Sequence, residues 1–192
     1  MDYTKTDIYK TWLKEHLNPE RYEHSLGVAD CARDLAERYG LDTEKAYFCG
    51  LMHDCAKCFP DEELKAMILP CSDLCEGELM NVKTYHAPAG AIIAKQEFQI
   101  EDEEILSAIR WHTLGKKDMS TFEKIIFLAD KIEYRTRPMD WAKPIRDKLE
   151  EENGLNKALL MCYKNTIKSL IERNLKICMT TIEIYNKLID EL

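Results

Sequence analysis

The sequence predicts an all-α fold, and three observations carry that expectation. Helix start and stop signals recur almost from end to end of the 192 residues. No convincing run alternates apolar and polar residues in the manner of a half-buried strand. The composition agrees, because 32% charged residues with only 7 glycines and 6 prolines lean helical rather than β-rich. With 45% hydrophobic residues and no repeat, low-complexity tract or obvious linker, residues 1–192 read as a single domain with a real core.

Each element follows from local signals. A short helix is expected over 6–17. Asn18, Pro19 and Glu20 then form a strong start: a capping amide, a proline at the first helical position and an acid. The helix they open should run to about Tyr39 and stop at Gly40. Asp42 caps the next, expected over 43–57, and Asp61 caps a short one through Ile68. Residues 70–85 read as a loop. Pro88 opens a helix toward Phe98, and Asp102 opens another that ends near His112, with Gly115 beyond. Ser120 and Glu123 form a capping box for a helix covering 125–133. Pro138 and Pro144 bracket a segment read as irregular. Helices are expected over 155–173 and from a cap at Thr180 or Thr181 onward. The C-terminal helices, 155–192, read as packing, with a homodimer surface left open.

Bulk properties exclude several functions. A formal net charge of -8 argues against a general nucleic-acid binder. No apolar run approaches a membrane span, and MDYTKTDIYK lacks the apolar core of a signal peptide. A cytoplasmic location follows, so the 8 cysteines are expected as reduced thiols.

The chain has five histidines: His16, His24, His53, His86 and His112. His24 shares a helical face with Val28, Cys31 and Leu35. His53 shares one with Ala46, Cys49 and Gly50, and His112 one with Ile105, Ala108 and Ile109. These three imidazoles should point inward. Asp54 follows His53, and Asp130 lies on or beside a buried face. Buried carboxylates are costly unless paired or bound to a metal. Together with His86 they call for one explanation, whereas His16 reads as an ordinary hydrogen-bonded side chain. Mixed imidazole and carboxylate donors suit iron, manganese, cobalt or zinc, and not calcium. Six side chains are too many for one tetrahedral ion and enough for two if one carboxylate bridges.

The order His, His-Asp, His, His, Asp resembles the HD-domain phosphohydrolases. The blocks RYEHSLGVADCARDLAERYGLDTEKAYFCGLMHDCAK, YHAPAGAIIA, AIRWHTLG and FEKIIFLADKIEYRTRP resemble the YqeK-type branch, the symmetrical bis(5'-nucleosyl)-tetraphosphatases. The resemblance is sharp over about 18–138 and looser beyond. It implies a helical bundle with a dinuclear metal centre, iron first, with manganese, cobalt or zinc as alternatives. His24, His53, Asp54 and Asp130 would hold one ion; Asp54 would bridge to a second on His86 and His112. The implied substrate is diadenosine tetraphosphate, cut at an inner phosphate by a metal-bridging hydroxide to give two ADP. One departure stands out: similar proteins run Ile-Glu-Pro where this chain has Ile132-Glu133-Tyr134, which leaves the placing of Arg135 and Arg137 open.

Other residues follow from position. Lys57, four after His53, should share its helical face and reach a phosphate alongside Asp54 as catalytic machinery. Arg135 and Arg137 are candidate phosphate clamps. Thr113 and Gly115 are candidates to line a nucleotide pocket, and Arg21 to support His24 or the substrate. Trp111 reads as core rather than as a base-stacking surface. Cys55, Cys58, Cys71 and Cys75 have spacing that a structural zinc site can use, a rival for the same segment. The competing functions are an HD hydrolase of another nucleotide, a monophosphate or cyclic dinucleotide, and a non-catalytic nucleotide sensor.

Overall fold

The computed structural model describes residues 6–192. The first five, part of the stretch that lacks a leader's apolar core, lie outside it. In chain order the helices are α1 Asp7–His16, α2 Pro19–Arg38, α3 Thr43–Met52, α4 Asp61–Ile68, α5 Glu76–Met80, α6 His86–Gln96, α7 Glu103–Trp111, α8 Thr121–Ile132, α9 Met139–Leu149, α10 Gly154–Glu172 and α11 Met179–Asp190. Short 3-10 turns stand at Cys55–Cys58 and Val82–Thr84, and the described residues include no strand.

The expected caps form. Asn18 Oδ1 accepts from Arg21 N at 2.8 Å, with Pro19 as the first helical residue. Asp42 Oδ1 accepts from Lys45 N at 2.9 Å, and Asp102 caps α7. Ser120 and Glu123 exchange bonds of 3.1 and 2.8 Å as a capping box. Gly40 takes φ +67° just past α2, the left-handed stop that suits glycine.

These caps set boundaries, and the core sets the fold. A cap contributes about 1 kcal/mol, while burying one large apolar side chain contributes about 1.5–3 kcal/mol. Phe48, Leu51, Ile105, Ile109, Ile125, Ile126, Leu128 and Ile132 are wholly enclosed where α2, α3, α7 and α8 meet. Helices α9, α10 and α11 pack in succession, with α9 and α10 also against α8.

The structure departs from the sequence reading in three places. The helix expected over 43–57 ends at Met52, and a 3-10 turn follows. The expected loop at 70–85 contains α5 and a 3-10 turn. Its buried Glu78 is gripped by the Arg110 guanidinium, Nε to Oε1 at 2.7 Å, which ties it to α7. The segment bracketed by Pro138 and Pro144 is α9, running through Pro144. Its Ala142, Ile145 and Leu149 form a buried stripe, while Pro144 faces solvent and removes one helical N–H. Smaller shifts occur at three helix starts. Asp61 is the first helical residue after Pro60, Pro88 is the third residue of α6, and Cys178 rather than a threonine precedes α11.

Candidate metal centre

Five elements bring the candidate side chains together. His24 comes from the second turn of α2, His53 and Asp54 from just beyond α3, and His86 from the first position of α6. His112 stands at the end of α7 and Asp130 in the last turn of α8. All six are buried. His24 Nε2 lies 2.9 Å from Asp130 Oδ1, and His86 Nε2 lies 3.1 Å from His112 Nε2. Asp54 Oδ1 is 3.3 Å from His86 Nε2 and 3.4 Å from His112 Nε2. His53 Nε2 is 3.5 Å from Asp54 Oδ2 and 3.7 Å from Asp130 Oδ1.

Two histidines are set by the same local device. Each is the cap residue at the end of its helix, and each offers Nδ1 to the carbonyl three residues back. His53 Nδ1 lies 2.7 Å from Gly50 O, and His112 Nδ1 lies 2.6 Å from Ile109 O. A carbonyl only accepts, so Nδ1 carries the proton, and in the neutral form of either ring a bare Nε2 is turned into the centre. Those lone pairs then face carboxylate oxygens. His53 Nε2 and Asp54 Oδ1 are buried with no hydrogen-bond partner. Such an arrangement repels itself unless a cation lies between the donors, which is the test this site passes for a metal.

The electrostatics agree. Burial alone would raise the Asp54 carboxyl, but the imidazoles of His53, His112 and His86 outweigh it and hold it well below the usual range. Asp130 is likewise held low against burial, by Lys131, His24 and Arg137. Burial pushes His86 down to about 4 and lowers His112 as well. Ionised carboxylates and neutral imidazoles are the forms that bind divalent cations. Two groups of converging donors result: His24, His53 and Asp130, and His53, Asp54 and His112.

The surrounding residues divide. Arg21 Nη1 reaches Asp54 Oδ2 at 2.8 Å. Arg137 reaches Asp130 Oδ1 at 2.7 Å. Thr113 Oγ1 lies 3.1 Å from His112 Nε2 and 3.2 Å from His86 Nε2. Lys57 stands on the 3-10 turn rather than on the helical face expected for it. It is half-buried, and burial lowers its pKa while the charges of Asp54 and Asp130 act on it. Arg135 is not brought to the centre; it pairs on the surface with Glu23 and Asp30 at 2.9 and 2.8 Å. Gly115, at φ +74°, packs beneath the Tyr163 hydroxyl. Trp111 borders a separate groove beneath the Arg110 guanidinium. His16 is exposed and stacks on Trp12.

Two further residues join the centre. Lys131 Nζ lies 2.5 Å from Asp130 Oδ2 and 3.2 Å from His112 O. Glu133, wholly buried, faces His24 Nδ1 at 3.2 Å. A buried acid near a histidine 109 residues away leaves no local pattern to read. The thiols form no rival cluster: among the described residues, neither group of converging metal donors contains a cysteine. Cys55 points instead at Gly90 O and Cys58 at Cys55 O.

Comparison with known proteins places this geometry. A profile for the HD domain matches residues 21–135. A protein of Halalkalibacterium halodurans named bis(5'-nucleosyl)-tetraphosphatase, symmetrical, is 38% identical over 93% of this chain and 94% of its own length. A Bacillus subtilis protein of the same name is 38% identical over 92% and 94%. A crystal structure from Clostridium acetobutylicum, described as a predicted HD superfamily hydrolase involved in NAD metabolism, superposes with a TM-score of 0.90 at 41% identity, covering 98% of both chains. With its matched segment spanning the first and last of the clustered donors, this chain belongs to the HD domain family.

Proposed function

We propose that this chain is a symmetrical dinucleoside-tetraphosphate hydrolase that splits diadenosine tetraphosphate at its centre into two ADP. The observation that carries the reading is the buried centre. It gathers four histidines and two aspartates at the positions the HD resemblance assigns. The names of the relatives above supply the substrate. Two ions would fit the donor set with Asp54 shared between them, one among His24, His53, Asp54 and Asp130 and one among Asp54, His86 and His112. Iron suits these donors, as do manganese, cobalt and zinc. Bound there, such ions supply an acidified water and positive charge against the phosphate chain.

The chain's own residues bind and orient. Arg21, Lys57, Lys131 and Arg137 place four cationic side chains around the two aspartates. They reverse the overall charge of -8 locally, where a tetraphosphate must bind. Their guanidinium and ammonium groups hold phosphate oxygens and spread the charge that builds during displacement. ADP leaves as a stable anion, so no strong general acid is required of the chain. A cytoplasmic location fits this reading, since all eight cysteines are free thiols.

The test is the product pattern. Metal-loaded protein given diadenosine tetraphosphate should release ADP alone. AMP with ATP, or no turnover with iron, manganese or cobalt, would overturn the reading. Asp54→Ala should lose more than about 100-fold in activity with its helical circular dichroism intact, because even partners behind metal ligands are worth that much. Full activity in that variant would overturn the site.

A further inference from the structure

A cavity of about 330 Å³ adjoins the candidate metal centre, and the residues assigned so far to metal and phosphate leave it without an occupant. Thr113 lines it, and the same Thr113 hydroxyl lies 3.1 Å from His112 Nε2 and 3.2 Å from His86 Nε2. Phe127 lines it one turn before Asp130, with the Lys131 ammonium 4.5 Å from the centre of its ring. The far side comes from α10 and the segment leading to α11, including Tyr163, Thr166 and Leu170. Phe127 and Tyr163 stack with ring centres 5.3 Å apart and planes 12° from parallel. The Tyr163 hydroxyl is engaged by Leu114 O at 2.9 Å, so that wall is fixed in place.

This lining suits no phosphate. It is mostly apolar, with a single lysine, Lys176, and polar groups such as Asn81 and Thr166 toward solvent. Its volume falls at the lower end of the range for small-molecule sites. An apolar space bordered by aromatic side chains beside a phosphate-binding centre fits a planar ring attached to a phosphate chain, because burying such a ring removes apolar area from water. We infer that this cavity seats one nucleoside of the substrate, its base among Phe127, Tyr163 and Leu170 and its phosphates directed past Thr113 to the centre. The inference rests on the function proposed above for the substrate class. It gives α10 and the segment before α11 a binding role where the sequence reads them as packing, and it leaves Trp111, in its separate groove, outside the site.

Calorimetric titration of the manganese-loaded protein tests this with two probes, ADP and inorganic pyrophosphate, which lacks the nucleoside. Thr166→Trp and Leu170→Trp fill the cavity from an exposed and a half-buried position, so the fold tolerates at least one of them. ADP affinity should fall tenfold or more, while pyrophosphate affinity stays within twofold of wild type. ADP binding within twofold of wild type in both variants, or an equal loss of both probes, overturns the assignment. Suppose diadenosine tetraphosphate is not split but ADP shows the expected pattern: the cavity assignment stands and the reaction assignment falls. Symmetric cleavage with unchanged ADP binding in both variants removes the cavity assignment alone.

Discussion

Glu133 lies wholly inside the protein, and its carboxylate is surrounded by donors. It faces His24 Nδ1 at 3.2 Å and accepts from Arg135 N at 2.5 Å, Thr136 N at 3.0 Å and the Thr136 hydroxyl. Gly27 makes room for it, since a Cβ there would collide with its carboxylate. With Nδ1 bonded to Glu133, a neutral His24 turns its Nε2 lone pair toward Asp130 and any ion beside it, as outer carboxylates do for metal-bound histidines. Glu133→Gln keeps an acceptor but removes the charge, so metal affinity should fall about 10- to 100-fold, read by competition against a chelator. An unchanged affinity would assign Glu133 a purely structural part. Its titration gives a second readout. Burial works to raise the carboxyl, but the bonds from His24, Thr136 and the backbone outweigh it and bring it to about 2. The folded value lies below the unfolded one, so the contribution to stability is full above the unfolded pKa and disappears as pH falls through the folded one. In urea unfolding of the metal-free proteins, the advantage of wild type over Glu133→Gln should shrink steadily from about pH 6 to about pH 2.5.

At the scale of elements, most of the centre rests on where helices end. His53 and His112 project their Nε2 atoms because α3 and α7 stop at them, and that stop was only half legible. The end of α7 could be read from Gly115, whereas α3 has no glycine or proline beyond it before Pro60 and the helical period continued to Lys57. The α3 end depends on a side-chain bond, His53 Nδ1 to Gly50 O, which sequence periodicity does not register. Capped starts at Asn18, Asp42, Asp102 and Ser120 were legible because each is a local bond within four residues. The helix through Pro144 was hidden because proline normally breaks a helix, and only packing of Ala142, Ile145 and Leu149 overrides it. Gly50 fixes α3 against α2: a Cβ there would lie 2.8 Å from Val28 O and 2.9 Å from Ala29 Cα. Backbone cannot yield as a side chain can, so Gly50→Ala should force the helices apart and destabilise the fold by about 1–3 kcal/mol. Because His53 and Asp54 follow directly, the variant should also bind metal more weakly than wild type. A melting temperature and metal content equal to wild type would show that α3 is free to shift without the centre.

For the whole molecule, the centre is assembled only by folding. His24 and Asp130 are 106 positions apart, yet their donor atoms stand 2.9 Å from each other. The sequence pointed to these donors through the helical faces of His24 and His112, the His53-Asp54 pair and the order of the motifs. It did not reveal the cavity beside them, whose walls come from α5, the segment after α7, α8, α10 and the start of α11. An unfolded chain cannot gather donors this far apart, so cation binding is linked to folding. A ligand at 100 times its dissociation constant stabilises the folded state by about 2.7 kcal/mol. For a chain of this size, that raises the melting temperature by roughly 5–10 °C. Protein stripped with a chelator should therefore melt lower and recover on addition of manganese or iron. The gain should be mostly lost in His112→Ala, which removes a bare Nε2 from the centre. It should persist in the double variant Cys55→Ser, Cys58→Ser, whose thiols point at backbone carbonyls rather than at the clustered donors. If the cysteine variant loses the gain and the histidine variant keeps it, the metal belongs to the thiols and the centre described here is not the one that binds it.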